Sequence, residues 1–151
     1  MIKVVYPKFD FKIKKEAGKE VIFDVVRKQW IRLTPEEWVR QNMLQYLMQT
    51  LQYPAALIAV ERELKLGELQ KRFDILVYDK QHQPWLMIEC KAMDIPLNEN
   101  VLQQILRYNM AMPVAFIFIT NGTSVFGWDI ENGCKLVDGF PAFRGEILSN
   151  L

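Results

Sequence analysis

Cysteine and histidine are almost missing from this chain, and their scarcity excludes several kinds of site. There are two cysteines, Cys90 and Cys134, far apart in the sequence, and one histidine, His82. A structural zinc site draws its four ligands mainly from these residue types at close spacing, so no such site is expected. Histidine-based acid–base catalysis is disfavoured for the same reason. Few cysteines are also typical of a reducing compartment, and we expect a cytoplasmic protein.

The chain also lacks a long apolar segment, a nucleotide-binding loop and an excess of one charge. The longest apolar stretch, residues 112–119, contains a proline and is too short to cross a bilayer, so no membrane association is expected. Residues 1–7 do not have the pattern of a cleaved leader. No Gly-x-x-x-x-Gly-Lys-Ser/Thr segment is present, so this chain alone is not expected to translocate DNA. With 19 basic and 18 acidic side chains, the net charge neither supports nor excludes a nucleic-acid partner.

What the chain does have is enough apolar residues for a substantial core. Half of its 151 residues are hydrophobic and a quarter are charged, which is normal for one ordered globular unit. We expect a single domain over residues 1–151, without repeats or linkers. Its parts are an N-terminal hairpin at about 9–27, a core at about 33–129 and a C-terminal tail at about 140–151, loosely held from Arg144 onward.

Hydrophobic periodicity predicts a mixture of strands and helices. Alternation predicts the hairpin, and Thr34-Pro35 predicts the start of a helix that ends near Pro54. A second helix is expected at 99–110. The predicted strands of the core are residues 55–60, 73–78, 85–91 and 113–120, followed by a short hairpin after Asn121-Gly122. This order predicts an α/β (α+β) domain with a central mixed β-sheet flanked by helices.

Two acidic residues are expected to meet on this sheet. If Tyr78 pairs with Trp85, Asp74 lies directly opposite Glu89 on the neighbouring strand. Like charges in that position repel each other, and a divalent cation would offset the repulsion. Lys91 follows Glu89 by two residues and so points to the same face. Two carboxylates suit Mg²⁺, which prefers oxygen ligands, and Lys91 could orient a water or stabilise developing negative charge.

Several segments resemble a known nuclease family. The residues that carry the resemblance are Asp74 with Glu89-x-Lys91, Gln104 and Tyr108 at Gln-x-x-x-Tyr spacing, and segments 33–41, 71–75, 88–92 and 120–122. Together they resemble the PD-(D/E)XK nuclease superfamily and, more narrowly, the N-terminal nuclease domain of type I restriction enzyme R subunits. The resemblance runs from about residue 9 to 129. Phe73 departs from the proline in the superfamily's name, and a phosphate-loop motor is absent.

This resemblance implies a restriction-endonuclease-like fold and a role for each matching residue. Asp74 and Glu89 would bind Mg²⁺, with Mn²⁺ as a substitute, and Lys91 would be the catalytic lysine. A helix glutamate would complete the catalytic set, and Glu37 is preferred to Glu36 because it shares a helical face with core residues. Gln104 and Tyr108 would help to position nucleic acid.

Other charged residues near these positions have two interpretations. Lys71, Arg72 and Arg107 are candidate phosphate contacts, although a solvated charged face explains them as well. Glu61 could add an outer carboxylate to the site, but a solvent-exposed strand end is the favoured interpretation.

The predicted function is a Mg²⁺-dependent DNA nuclease, related to restriction systems. The alternative is a catalytically inert or partner-dependent nucleic-acid-binding or assembly module with the same fold. RNA cannot be separated from DNA as the substrate on the sequence alone. Expected partners are DNA and other restriction-system or motor subunits, and a homodimer would suit an enzyme that cuts two strands.

Overall fold

A computed structural model describes residues 1–143, so the expectation for the chain from Arg144 onward lies outside the described residues. The elements are two helices, nine strands and two short helical turns in this part of the chain. The bounds are β1 Ile13–Glu16, β2 Lys19–Asp24, β3 Gln29–Arg32, α1 Pro35–Gln45, β4 Ile58–Leu66, β5 Leu69–Tyr78, β6 Pro84–Cys90, α2 Glu99–Asn109, β7 Phe116–Thr120, β8 Val125–Asp129 and β9 Lys135–Val137.

The strands form two sheets. The N-terminal sheet has the order β1-β2-β3, and the central sheet has the order β4-β5-β6-β7-β8-β9. All neighbours in the central sheet are antiparallel except β6 and β7, which are parallel and are connected through α2. Parallel strands need such a crossover because the chain must return to the end of the sheet at which the first strand began. The predicted α+β fold with a mixed central sheet flanked by helices is confirmed.

Helix α1 begins where the sequence predicts. The Thr34 side chain accepts a hydrogen bond from the Glu37 amide at 3.0 Å, and Pro35 occupies the first turn, where its missing N–H costs nothing. After Gln45 the helix widens into a π-helical turn, Tyr46–Thr50, before the chain reaches Pro54. None of the helices within residues 1–143 is long and apolar enough to cross a membrane.

Each face of the central sheet buries its own hydrophobic cluster. The α1-side cluster packs helix residues against one face of the sheet and contains Val39, Met43, Leu44, Ile75, Val77 and Ile88. The α2-side cluster covers the other face and contains Leu102, Leu106, Leu76, Met87 and Ile117. Because both faces are covered, β6 and β7 read as continuous apolar runs.

Three strand predictions need correction. The strand expected at 55–60 starts at Ile58, after a 3₁₀ turn at Ala55–Leu57, and extends to Leu66. It turns through Gly67, which has φ +60°, into a strand that begins at Leu69 rather than at residue 73. The apolar alternation that predicts a strand is weak here, because β4 is an edge strand with many polar residues. The N-terminal hairpin likewise gains a third strand, β3.

The pairing of β7 with β8 depends on the absence of a side chain at Gly127. A Cβ there would lie 2.2 Å from Cε1 of the buried Phe118 ring, which is itself stacked on Phe140 with ring centroids 4.2 Å apart. We expect Gly127→Ala to lower the free energy of unfolding by about 2 kcal/mol, because the confined ring cannot move aside without strain. Urea denaturation measures the effect.

Gly139→Ala is the matched control, since nothing lies within 4 Å of the Cβ it would add. Its free energy of unfolding should stay within about 0.5 kcal/mol of the unmodified protein. Equal effects of the two substitutions would contradict the account of Gly127.

Candidate functional site

Strands β5 and β6 bring the two predicted acidic residues together. The paired residues of these strands are Ile75↔Ile88, Leu76↔Met87 and Val77↔Leu86. Extending this register by one residue places Asp74 opposite Glu89. The assumed Tyr78–Trp85 pair is wrong, because an irregularity between Val77 and Tyr78 pairs Tyr78 with Pro84 instead. The expected facing of the two carboxyl groups therefore survives an error at the turn.

Asp74 is held by hydrogen bonds from three directions. Its Oδ2 accepts from the Cys90 backbone N–H at 2.7 Å, and its Oδ1 accepts from Arg40 Nη2 at 2.8 Å. A third hydrogen bond joins its carboxyl group to that of Glu89. The Asp74 side chain is only 13% exposed, so these partners replace most of its water.

The hydrogen bond between the two carboxyl groups requires a proton on one of them. Burial raises the pKa of Glu89 to about 9, and the hydrogen bond with Asp74 and its negative charge act in the same direction. Burial also acts to raise the pKa of Asp74, but the hydrogen bonds from Glu89, Cys90 and Arg40 outweigh it and keep that pKa below its ordinary value. At neutral pH the pair therefore holds one proton, on Glu89, and one negative charge, on Asp74.

A local irregularity in β4 determines where Asp74 points. Glu61 lies across from Asp74, between the pairs Val60↔Ile75 and Arg62↔Phe73, and has φ +54°. The alternation of β5 breaks at the same level. Phe73 packs in the α2-side cluster although Ile75 packs in the α1-side cluster. Irregular strand positions often redirect a side chain beside a functional site, and here the Asp74 carboxylate meets α1.

Glu61 belongs to the group of charged side chains around Arg40 and Asp74, and it is not a solvent-exposed strand end. It accepts hydrogen bonds from Arg40 Nη2 at 2.8 Å and from Arg72 Nε at 2.8 Å. The expectation from the sequence was wrong because the strand was assumed to end before this residue. No local signal predicts a left-handed conformation for a glutamate inside a strand.

Helix α1 places its two glutamates in different surroundings. Glu37 is 5% exposed at its side chain and accepts hydrogen bonds from Arg27, Arg40 and Gln41. Its carboxylate is thus bound within an interior network. Glu36 is 46% exposed, and burial and the Asp74 charge raise its pKa while the Arg40 and Lys91 charges oppose them. The Glu36 charge acts on Glu89. That Glu37 completes the catalytic set stays a prediction.

Arg40 is the residue at this site that the sequence did not single out. Its guanidinium contacts four carboxylates, those of Glu36, Glu37, Glu61 and Asp74. A signal for it existed, because Arg40 follows Glu36 and Glu37 by four and three residues, the spacing at which helix side chains meet. Arg40 thus supplies part of the positive charge beside Asp74, where a divalent cation was expected to offset the repulsion between the two carboxylates.

Lys91 follows Cys90, the last residue of β6, and lies two residues beyond Glu89. Its backbone N–H donates to the Thr120 carbonyl at 2.8 Å, which anchors the end of the strand against β7. The positive charge of Lys91 acts on Glu89 and Glu36 by favouring their ionised forms. The ammonium group forms no ion pair within 4.0 Å in the part of the chain that the structure describes, so it is available to a ligand.

The predicted nucleic-acid contacts divide into two groups. Lys71 and Tyr108 meet, with Lys71 Nζ 3.7 Å from the centroid of the Tyr108 ring, and the Glu89 charge acts on Lys71. Gln104 lies one turn before Tyr108 on the exposed part of α2.

The two arginines of this set have different surroundings. Arg72 pairs with Glu61 and is 67% exposed. Arg107 lines a separate depression with Met110 and Cys134.

The carboxylate oxygens at this site suit a Mg²⁺ ion that keeps several of its waters. Asp74 and Glu89 provide carboxylate oxygens, and proteins commonly hold Mg²⁺ through one or two carboxylates while it keeps several waters. Within residues 1–143, no three His, Cys, Asp or Glu side chains are grouped so that they could hold a metal ion together. A fully protein-ligated tetrahedral site is therefore not formed by these residues.

A comparison with models of protein families finds a match over most of the chain. The model of the family described as type I restriction enzyme R protein N terminus (HSDR_N) matches residues 35–141. This match spans most of the sequence, and the chain belongs to that family. No curated protein sequence matches the chain at the significance required.

A solved structure also resembles this chain. It is a fragment described as the HsdR subunit of a type I restriction enzyme from Vibrio vulnificus YJ016, with 24% sequence identity and a TM-score of 0.40. The match covers 56% of the present chain and 19% of the Vibrio chain. The present chain therefore corresponds to a small part of that protein.

The shared proton generates a prediction for the protein without metal. Glu89 ionises near its ordinary pKa when unfolded but only near pH 9 when folded, so rising pH between these values favours unfolding. Glu89→Gln retains a donor for Asp74 and cannot ionise. We expect this variant to be more stable than the unmodified protein by about 1–3 kcal/mol at pH 8, with the difference disappearing near pH 4–5. Urea denaturation in EDTA at both pH values measures it.

Glu63→Gln provides the control, because Glu63 is an exposed residue of β4. Its effect on the free energy of unfolding should stay below about 0.5 kcal/mol at either pH. A Glu89→Gln variant that is less stable at pH 8, or equally shifted at both pH values, would contradict the shared proton.

Proposed function

We propose that this domain is a Mg²⁺-dependent nuclease that hydrolyses phosphodiester bonds in DNA. The observation that supports it most is the meeting of Asp74 and Glu89 on neighbouring strands, close enough to hold a proton between them. A buried like-charge pair is costly, and sites that bind cations or move protons are where such pairs are retained. Lys91, without an ion-pair partner among the described residues, adds a cation at the same strand end.

The proposed division of labour follows from the positions of these groups. Asp74 and Glu89 would hold Mg²⁺, or Mn²⁺ in its place, which when bound neutralises phosphoryl charge and makes water more acidic. Glu89 would lose its proton to become a ligand. Lys91 would orient the attacking water or donate to an oxygen that gains negative charge. Glu36 would add negative charge at the helix end, where it can accept a hydrogen bond from water.

The family supports DNA as the substrate and a type I restriction system as the setting. The matched family is named for the N terminus of the R protein of these enzymes, and the described chain matches only a small part of the Vibrio relative. We therefore expect the domain to act beside other restriction or motor subunits. A homodimer would place two such sites on one duplex.

Metal binding is the first test of the proposal. Isothermal titration of Mg²⁺ and Mn²⁺ into the protein should show binding that Glu89→Ala abolishes, because the variant removes one of two carboxylate ligands. Glu63→Gln, a change on the exposed side of β4, should bind the ions as the unmodified protein does. No binding to the unmodified protein would remove the basis for a metal-dependent reaction.

DNA cleavage is the second test. With Mg²⁺ or Mn²⁺, the protein should cut linear, circular or single-stranded DNA, and Lys91→Met should reduce the rate by about 10²–10³-fold because one charge-stabilising donor is lost. Asp74→Asn should reduce it at least as much. Glu63→Gln should cut normally. Failure of the unmodified protein to cut any of the three substrates over a wide range of enzyme concentration would overturn nuclease activity for this chain alone.

One specific observation favours a second function, a nucleic-acid-binding or assembly module that is inert or needs a partner. Arg40 already contacts Asp74 Oδ1 at 2.8 Å, so part of the carboxylate is engaged without a metal. Metal binding without cleavage would favour this alternative and indicate a missing subunit. If neither metal binding nor cleavage occurs, Asp74 serves only the fold, and its replacement should then destabilise the protein because Arg40 and the Cys90 N–H lose an acceptor.

A further inference from the structure

Lys71 is a buried cation with no hydrogen-bond partner in residues 1–143. The residue lies on β5 and is 6% exposed, and its Nζ is enclosed without any acceptor within hydrogen-bonding distance. A lysine is rarely buried in this way, because an ammonium group that leaves water without a partner costs several kcal/mol. The position therefore has a donor ready for an acceptor that the free protein does not supply.

The group that encloses this ammonium is the Tyr108 ring. Lys71 Nζ lies 3.7 Å from the ring centroid, well within the distance of a cation–π contact. Tyr108 belongs to α2 and is itself 68% exposed, so one side of the ring faces solvent while the other covers the lysine. Such a contact compensates only partly for lost hydration, contributing about 0.5–2 kcal/mol.

The covered ammonium lies on the strand that carries Asp74, three residues before it. Burial lowers the pKa of Lys71, and the negative charge that opposes this shift is that of Glu89. Glu89 is nevertheless not its ion-pair partner, since no ion pair of Lys71 within 4.0 Å occurs among the described residues.

We propose that Lys71 is a latent phosphate-binding residue: the Tyr108 ring covers it in the free protein and moves aside when nucleic acid binds, so that Nζ donates to a backbone phosphate oxygen next to the Glu89 site. This inference rests on the proposed action on DNA and adds to it a contact that forms only on binding. The acceptor is an anionic oxygen because the Lys71 ammonium carries a positive charge and three donors, and has no acceptor within residues 1–143. The exposed position of the ring allows it to rotate without disturbing the core.

The salt dependence of DNA binding tests the contact. Each phosphate contact contributes about 0.9 to the slope of log affinity against log salt concentration. Binding of a short duplex in Ca²⁺, which avoids cleavage, is measured by fluorescence anisotropy between 50 and 200 mM salt. Lys71→Met should lower the slope by about 0.9, which reduces the change in Kd over this range by about three- to fourfold. Lys80→Met, at an exposed lysine in the β5–β6 turn, is the control and should keep the slope.

Loss of folding does not confuse this test. Methionine is close to lysine in shape, and removing an unpartnered buried charge should leave the protein as stable or more stable. A urea denaturation curve for Lys71→Met checks this directly. A slope equal to that of the unmodified protein in a folded Lys71→Met variant would overturn the proposal.

Chemical labelling of lysines tests the cover. With an amine-reactive ester and peptide mass spectrometry, Lys71 should be labelled about tenfold more slowly than Lys80, since its amine must first be uncovered. Tyr108→Ala should remove most of this protection, and Tyr108→Phe, which keeps the ring, should retain it. DNA should slow the labelling of Lys71 in Tyr108→Ala by occupying the amine. Equal labelling of Lys71 in the unmodified protein and in Tyr108→Ala would overturn the role of the ring.

These results separate this proposal from the function beneath it. If Lys71→Met binds and cuts DNA with an unchanged salt slope, the latent contact is wrong and the nuclease stands. If the unmodified protein has no measurable affinity for duplex or single-stranded DNA, both proposals fall. A reduced slope in Lys71→Met with protection that depends on the Tyr108 ring supports the proposal in full.

Discussion

A chain of buried ion pairs connects the two sheets of this protein and sets the position of the site. Asp24 at the end of β2 accepts from Arg27, Arg27 donates to Glu37, and Glu37 binds Arg40, which reaches Asp74 on β5. Removing one member of such a chain leaves a charge buried without its partner, a strongly destabilising change. The N-terminal sheet, α1 and the strand that carries Asp74 are thereby held in one arrangement.

The acidic pair lies at the end of this chain and gives the site its chemistry. Strand pairing places the two carboxyl groups together, α1 contributes Arg40 and the Glu36 charge, and Lys91 adds a second cation. Burial and the neighbouring Asp74 charge keep a proton on Glu89. In the function that we propose, a bound cation would displace this proton, which would link metal binding to proton release.

Lys71 adds an unpaired donor on the same strand as Asp74. The Asp74 carboxyl group accepts from Arg40 and Cys90, whereas the Lys71 ammonium has no acceptor within residues 1–143. In the function that we propose, a metal ion would bind the acidic pair and a phosphate oxygen would accept from Lys71. A metal-bound phosphodiester would meet both conditions.

The sequence by itself determined the elements whose signals are local. Apolar runs and the Thr34-Pro35 start predicted the core strands and α1. An assumed strand register predicted that Asp74 faces Glu89, and two-residue alternation predicted that Lys91 shares the face of Glu89. Only the tertiary structure decided that Glu37 lies in an interior network while Glu36 stays half-exposed, that Arg40 contacts Asp74, and that the same guanidinium binds Glu61. These outcomes depend on side-chain direction and on a left-handed residue inside a strand, which arise from contacts between residues distant in sequence and leave no periodic pattern.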